Sequence, residues 1–199
     1  MTAALTRNRD PLTGDLALQA IRNAGYDVRN NHPRARGTYV GHLNLAGFQS
    51  VVLCDEAGLP WSVLYSRGRR LLEFKTGCLI NHQRVPLDPS AALGTALKFA
   101  RDAARAALSE TMTVTVRDRA AESPWGHGMT SPRIREVTIS AFCATCGEHR
   151  GEPTGLNQHD DGAWYWTQVW NNPCGHSDYY PRVIAEARTL QLAAKAVAR

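Results

Sequence analysis

Two short stretches decide how the last third of this chain folds: Phe142-Cys143-Ala144-Thr145-Cys146-Gly147 and Pro173-Cys174-Gly175-His176. The first has two cysteines separated by two residues, and the glycine after them lets the backbone curl beneath a bound ion. The second brings one more cysteine and a histidine. Three thiolates and one imidazole form a tetrahedral ligand set for zinc. The spacing therefore predicts a Zn²⁺ site held by Cys143, Cys146, Cys174 and His176, with His149 and His159 as competing fourth ligands.

Over residues 140–180 the sequence resembles the zinc-ribbon group, in which two metal-binding knuckles are joined by an antiparallel hairpin. The first knuckle matches that pattern. The second departs from it, because Asn171 stands three residues before Cys174 where the group has a cysteine. The Asn-Pro-Cys-Gly-His run after an aromatic strand is also similar to uncharacterised actinobacterial and phage proteins. That similarity implies no activity.

A closed site of four protein ligands usually stabilises a fold, since a catalytic zinc keeps one position for water. We therefore expect a structural zinc and no catalytic residues, although a disulfide between Cys143 and Cys146 is an alternative in oxidised protein. Five cysteines without an export signal indicate a reducing compartment and argue against a disulfide framework. A cytoplasmic location is the expectation.

Composition narrows the class of protein. The 199 residues are 43% apolar and 21% charged, which excludes intrinsic disorder, and no apolar run is long enough for a membrane helix. Alternating patterns predict an α+β fold: an N-terminal mixed or antiparallel sheet with two helices, then a ribbon-like hairpin and a C-terminal helix. We expect an N-terminal domain over residues 1–132 and a zinc-binding unit with its closing helix over residues 133–199.

The sequence pattern predicts three helices, a sheet meander, further strands and one surface loop. Helices are expected near residues 15–24, from Asp88-Pro89 to Leu108, and from Pro181 almost to the terminus. A meander of strands is expected over residues 38–65, with Leu71 to Phe74 and Cys78 to His82 extending the same sheet. Residues 112–116, 134–142 and 164–170 are expected to be further strands, and residues 121–132 a surface loop.

The net charge of +5 is unevenly distributed. Residues 143–180 carry −4, with Arg150 as their only basic residue, so the basic groups lie outside the cysteine-bearing segment. Two basic loops are candidate anion-binding or nucleic-acid-binding sites. Their residues are Arg34, Arg36, Arg67, Arg69 and Arg70. A solvated surface in an arginine-rich protein is the simpler alternative, since the chain has 20 Arg and only 3 Lys.

Three tryptophans share one face of the strand between the knuckles. Trp164, Trp166 and Trp170 alternate with Tyr165, Thr167 and Val169. Exposed indoles would stack on single-stranded bases. The acidic charge of the segment opposes a phosphate backbone, so we expect these tryptophans to pack the hairpin onto the rest of the protein.

Weaker patterns are also present. Cys54-Asp55-Glu56 is superficially similar to the Cys-x-Glu of nucleoside deaminases, but Phe142 replaces the expected proline before Cys143. His127 is a candidate loop base, and Cys78, His82 and His42 are candidates for a second metal site, although single residues of these kinds are more often structural.

These observations favour a cytoplasmic, zinc-stabilised protein that acts by binding, as an adaptor for nucleic acid, a nucleoprotein or a protein partner. One alternative is a zinc-containing hydrolase with a site built from His127 or His159 and Asp160. Another is a structural or assembly protein of viral origin. No membrane partner is expected.

Overall fold

The computed structural model describes residues 11–30, 38–75, 78–80, 83–85, 87–122, 131–160 and 162–197. Its elements, in chain order, are α1 (Gly14–Asn23), β1 (Asp27–Asn30), β2 (Tyr39–Leu45), β3 (Phe48–Cys54), β4 (Pro60–Arg67), β5 (Arg70–Lys75), β6 (Cys78–Ile80), β7 (Gln83–Val85), α2 (Pro89–Leu108), β8 (Thr111–Arg117), a 3-10 helix (Arg119–Ala121), β9 (Ile134–Ser140), β10 (Thr154–Asp160), β11 (Ala163–Val169) and α3 (Tyr180–Val197). The fold is α+β with antiparallel sheets and a C-terminal helix, as predicted.

The first sheet has the order β1-β2-β3-β4-β5, and every neighbouring pair in it is antiparallel. Strand β3 alternates strictly between buried and half-buried residues, because one face of the sheet points into the core. Residues 78–80 do not extend this sheet. They pair with β7 in a separate two-stranded sheet, so that part of the prediction is wrong.

Helix α2 covers the inner face of the first sheet. Asp88 caps it by accepting hydrogen bonds from the backbone N–H groups of Ser90 and Ala91, and Pro89 occupies its first turn. A stripe of small residues lets the helix approach the strands closely, while Phe99 contacts the rings of Phe48 and Tyr65. The Tyr26 hydroxyl donates to the carbonyl of Ala96. Buried small residues of the stripe are Ala92, Ala96, Ala100, Ala103 and Ala107.

Helix α3 connects two apolar clusters. Val183, Ile184 and Ala187 pack against the β8–β9 hairpin, whereas Leu190, further along the same helix, belongs to the cluster around the first sheet. The predicted apolar face of this helix is therefore covered by both halves of the chain. Within the described residues, no helix is both long and apolar enough to cross a membrane.

Of the three tryptophans predicted to pack, Trp170 packs against the second apolar cluster, but within β11 the opposite face is the one that packs. Thr167 is fully buried and Tyr165 faces Arg117, whereas Trp164 is 75% exposed and Trp166 is 47% exposed. The Tyr180 hydroxyl donates to the carbonyl oxygen of Gln168 over 2.8 Å, which fixes the hairpin to the start of α3. Polar side chains with hydrogen-bond partners, rather than large indoles, fill the space beneath this hairpin.

Candidate metal centre

The four predicted metal ligands meet at one point. Each offers one ligand atom, and these atoms all lie within 4.8 Å of one another. Cys143 is buried, while Cys146, Cys174 and His176 are half-buried, so the cluster is largely shielded from solvent. The ligands are arranged closely enough to hold a metal ion, and the fold brings them together from segments 27 residues apart in the sequence.

Local backbone structure shapes the first knuckle. The N–H of Gly147 donates to the carbonyl of Cys143 over 2.9 Å, and the N–H of Cys143 donates to the carbonyl of Glu148 over 2.7 Å. Gly147 has a φ of +80°, a conformation that glycine adopts without steric cost. The glycine predicted from the sequence to curl the chain beneath the ion is therefore in the conformation that this turn requires.

The second ligand loop is organised by Asn172. Its side-chain N–H groups donate to the backbone carbonyl of His176 over 2.7 Å and to Asp178 Oδ2 over 2.9 Å, and its backbone carbonyl accepts from the N–H of Gly175. Among the described residues, only two buried side-chain polar atoms lack a hydrogen-bond partner, and both are in this loop: Asn172 Oδ1 and His176 Nδ1. An imidazole nitrogen without a protein partner beside three thiols fits a metal centre.

The thiols differ in acidity. Burial opposes ionisation of Cys174, but hydrogen bonds from His176 and from the two other thiols outweigh it and lower the pKa of Cys174 to about 7. Burial raises the pKa of Cys146 to about 11, and the neighbouring thiols add to that rise. Cys174 therefore ionises before Cys146, which favours it as the earlier of the two to bind an incoming cation.

The β2–β3 turn of the first sheet packs against the first knuckle. The N–H of Gly47, in the β2–β3 turn, donates to the carbonyl of Ala144 over 3.1 Å, and Gln49 Nε2 donates to the carbonyl of Thr145 over 3.2 Å. A Cβ atom on Gly47 would lie 2.6 Å from the nitrogen of Gly147, so only glycine fits there. The metal centre and the first sheet thus share a tightly packed junction.

A second turn joins the same junction. Gly68, between β4 and β5, donates its N–H to the carbonyl of Gly47 over 2.7 Å, and a Cβ atom at Gly68 would lie 3.2 Å from the carbonyl oxygen of Cys146. The basic turn predicted from the sequence therefore lies directly beside the knuckle. Arg67, Arg69 and Arg70 are all exposed there, and the Arg67 guanidinium lies over the Phe48 ring at 5.0 Å.

A buried ion network supports the metal centre from the other side. Arg150, just beyond the first knuckle, donates to Asp178, two residues after His176, and to Glu186 in α3. Burial raises the pKa of Asp178, but hydrogen bonds from Arg150, Asn172 and Trp170 outweigh it and hold the pKa below its ordinary value. Sequence reasoning missed this network. The sequence does contain one indication of it, since Arg150 is the only basic residue among five acidic ones between positions 143 and 180.

The competing fourth ligands lie elsewhere. The His149 ring contacts Phe142, and its Nε2 faces Glu110 at 3.6 Å. His159 is on β10, with its ring 4.9 Å from that of Trp164. Asp160, paired with His159 in the hydrolase alternative, instead accepts from Arg117 Nη1 over 2.8 Å.

The other candidate residues singled out from the sequence lie outside the four-ligand cluster or outside the described residues. Cys54 is buried in the core of the first sheet, and Glu56 is exposed in the following turn. His42 is exposed on β2. Arg34, Arg36, His82 and His127 lie outside the described residues, as does the side chain of Cys78.

Comparison of the chain with family models, curated proteins and solved structures gives no match. The similarity to actinobacterial and phage proteins gains no support from these comparisons.

Proposed function

We propose that this chain is a zinc-stabilised binding protein whose metal centre fixes the position of a basic turn, and that this turn contacts the phosphate backbone of nucleic acid. The observation that carries the proposal is the junction of Gly47, Gly68 and the first knuckle. It links the metal ligands to Arg67, Arg69 and Arg70 through backbone contacts alone.

The donor set supports zinc as the ion. Three sulfur atoms and one imidazole are typical of closed structural zinc sites, whereas Mg²⁺ and Ca²⁺ prefer oxygen ligands. Four protein ligands leave no position for water, which supports a structural role over hydrolysis. Elemental analysis of reduced protein is expected to give one zinc per chain.

The charge distribution supports an anionic partner for the basic turn. Three exposed guanidinium groups stand within four residues, and arginine matches phosphate oxygens by two parallel hydrogen bonds. A turn held by backbone contacts loses little further entropy when it binds.

Binding to duplex and single-stranded oligonucleotides at increasing salt concentration tests the proposal. Each phosphate contact contributes about 0.9 to the slope of log K against log salt for duplex DNA. The double variant Arg69→Gln/Arg70→Gln is therefore expected to lower that slope by about 1 to 2 and to weaken binding without changing the zinc content.

The matched control is Arg22→Gln/Arg101→Gln, which removes the same charge from two exposed helical positions. It is expected to bind like the unmodified protein. Equal weakening by both double variants would show only a general charge effect, and absence of binding at low salt would eliminate the nucleic-acid role. Chelation of the zinc is expected to weaken binding as strongly as loss of the two arginines.

A further inference from the structure

A cleft lies between the end of β8, the β10–β11 hairpin and the start of α3, on surfaces that the proposed function does not use. Its volume is about 370 Å³, which is within the size range of small-molecule sites. The side chains that matter for recognition are those of Arg117, Arg119, Gln158, Tyr165, Tyr180 and Arg188.

The aromatic walls of this cleft are held rigidly. Arg117 lies with its guanidinium carbon 4.8 Å from the Tyr165 ring centre, and the Tyr165 hydroxyl donates to Gln158 Oε1 over 2.9 Å. The Tyr180 hydroxyl donates to the carbonyl of Gln168 over 2.8 Å. Because the phenol hydroxyls are engaged, the two rings are held in fixed positions beside the cleft, which suits a planar ligand.

The charges of the cleft leave an excess of cations. Buried Arg117 is compensated by Glu122, which accepts from it at 2.7 and 2.9 Å, and by Asp160 at 2.8 Å. Asp118 accepts from Arg135 over 2.7 Å.

Two further guanidinium groups line the cleft, those of Arg119 and Arg188. Arg119, which is 66% exposed, shares Asp160 with Arg117. Arg188 is exposed on α3, and no carboxylate in the described part of the chain contacts it. Both groups line the same cleft, and a guanidinium with one carboxylate partner still has further N–H groups to donate, so together they favour an anion with several oxygen atoms.

We propose that the cleft binds a phosphate monoester attached to a planar ring, as in a nucleoside monophosphate. Arg119 and Arg188 bind the phosphate oxygens, and the ring lies against Tyr165 and Tyr180. The same chemistry is found in a free nucleotide and at the 5′-phosphorylated end of a nucleic-acid strand. This site is separate from the basic turn, so its failure would leave the proposed function intact.

Calorimetric titration of the zinc-bound protein with AMP, adenosine and inorganic phosphate tests the proposal. AMP is expected to bind with one site per chain, and adenosine and phosphate at least about tenfold more weakly, because each provides only half of the contacts. Arg188→Gln is expected to weaken AMP binding by at least about tenfold, and Arg119→Gln provides an independent second variant. Lys195→Gln removes an exposed cation from the same helix and is expected to have no effect.

Oligonucleotides with and without a 5′-phosphate distinguish the two sources. A 5′-phosphorylated strand that binds more tightly than both AMP and the same strand without its phosphate, and that loses this advantage in Arg188→Gln, identifies a strand end as the ligand. Equal binding of the two strands identifies the free nucleotide. The proposal is overturned if AMP does not bind, if adenosine binds as tightly as AMP, or if Arg188→Gln and Lys195→Gln have the same affinity.

Discussion

Arg150 and Glu186 form a bidentate ion pair in the interior, with Nη1 donating to Oε1 over 2.9 Å and Nη2 donating to Oε2 over 2.7 Å. Their side chains are only 1% and 5% exposed. The other N–H groups of the guanidinium donate to Asp178 and to the carbonyl of Ser140, so all five have an acceptor. One side chain thereby joins the first knuckle, the second ligand loop and α3.

Replacing Arg150 with methionine would leave the buried carboxylate of Glu186 and the half-buried carboxylate of Asp178 without their cation. We expect Arg150→Met to lower the free energy of unfolding by about 3–5 kcal/mol, the usual cost of breaking one side of a buried pair. Urea unfolding of the zinc-loaded protein measures this. Arg101→Met, at an exposed position of α2, is the control and should change stability by less than about 0.5 kcal/mol. A loss below about 1 kcal/mol for Arg150→Met would contradict the role of the network.

Replacing Gly47 and Gly94 with alanine is expected to change the stability of the protein in opposite directions. Gly47 has a φ of +79°, and a Cβ atom there would lie 2.7 Å from the carbonyl carbon of Cys146. Gly47→Ala must therefore displace the knuckle, and we expect a loss of more than about 2 kcal/mol together with weaker zinc binding. Gly94, in α2, has nothing within 4 Å of the corresponding position. Gly94→Ala should stabilise the protein by about 0.5–1 kcal/mol because alanine is the better helix former. Thermal unfolding and zinc competition with a chelator measure both effects, and equal behaviour of the two variants would contradict the close packing at Gly47.

Local patterns in the sequence predicted most helices and strands correctly, and they selected four side chains that lie close enough together to hold a metal ion. Cysteine spacing, the Asp88-Pro89 start of α2 and the alternation in β3 all depend on near neighbours in the chain. Strand β10 was not predicted, because Thr154–Asp160 contains no β-branched residue after Thr154 and forms a strand by pairing with β11.

Contacts between distant segments could not be inferred in the same way. Nothing local indicates that Gly47 and Gly68 pack on a knuckle about 80 to 100 residues later. The choice of buried face in β11 also depended on distant partners. Apolar area favoured burying Trp164 and Trp166, but Tyr165 and Thr167 have hydrogen-bonding partners in Gln158 and Tyr180, which favour packing by their face instead.

The two ends of the aromatic strand supply a matched pair of substitutions. The Trp170 indole donates its N–H to Asp178 Oδ2 over 2.9 Å, so Trp170→Phe removes one partner of a carboxylate that also contacts Arg150 and Asn172. We expect a loss of about 1–3 kcal/mol in unfolding free energy, typical of a hydrogen bond to a charged group. Trp164→Phe, at a position 75% exposed, should change it by less than about 0.5 kcal/mol. Comparable losses at both positions would mean that Trp164 is packed rather than exposed.

The order in which the thiols ionise predicts their reactivity once the metal is removed. With a pKa of about 7, Cys174 is about half ionised at pH 7, whereas Cys146, with a pKa of about 11, is ionised in about one molecule in ten thousand. A thiolate of low pKa is intrinsically less nucleophilic, which reduces the expected ratio of alkylation rates to about a hundredfold. Iodoacetamide pulses on reduced, chelator-treated protein, followed by peptide mass spectrometry, measure the ratio. Cys54 is the internal control, since burial raises its pKa to about 11 and shields it from the reagent.

Raising the pH from 7 to 9 should at most double the alkylation rate of Cys174 but increase that of Cys146 about a hundredfold, because only Cys146 is still mostly protonated at pH 7. Equal labelling of Cys146 and Cys174 at pH 7 would show that the ligand cluster opens without its ion, and zinc should suppress labelling of both.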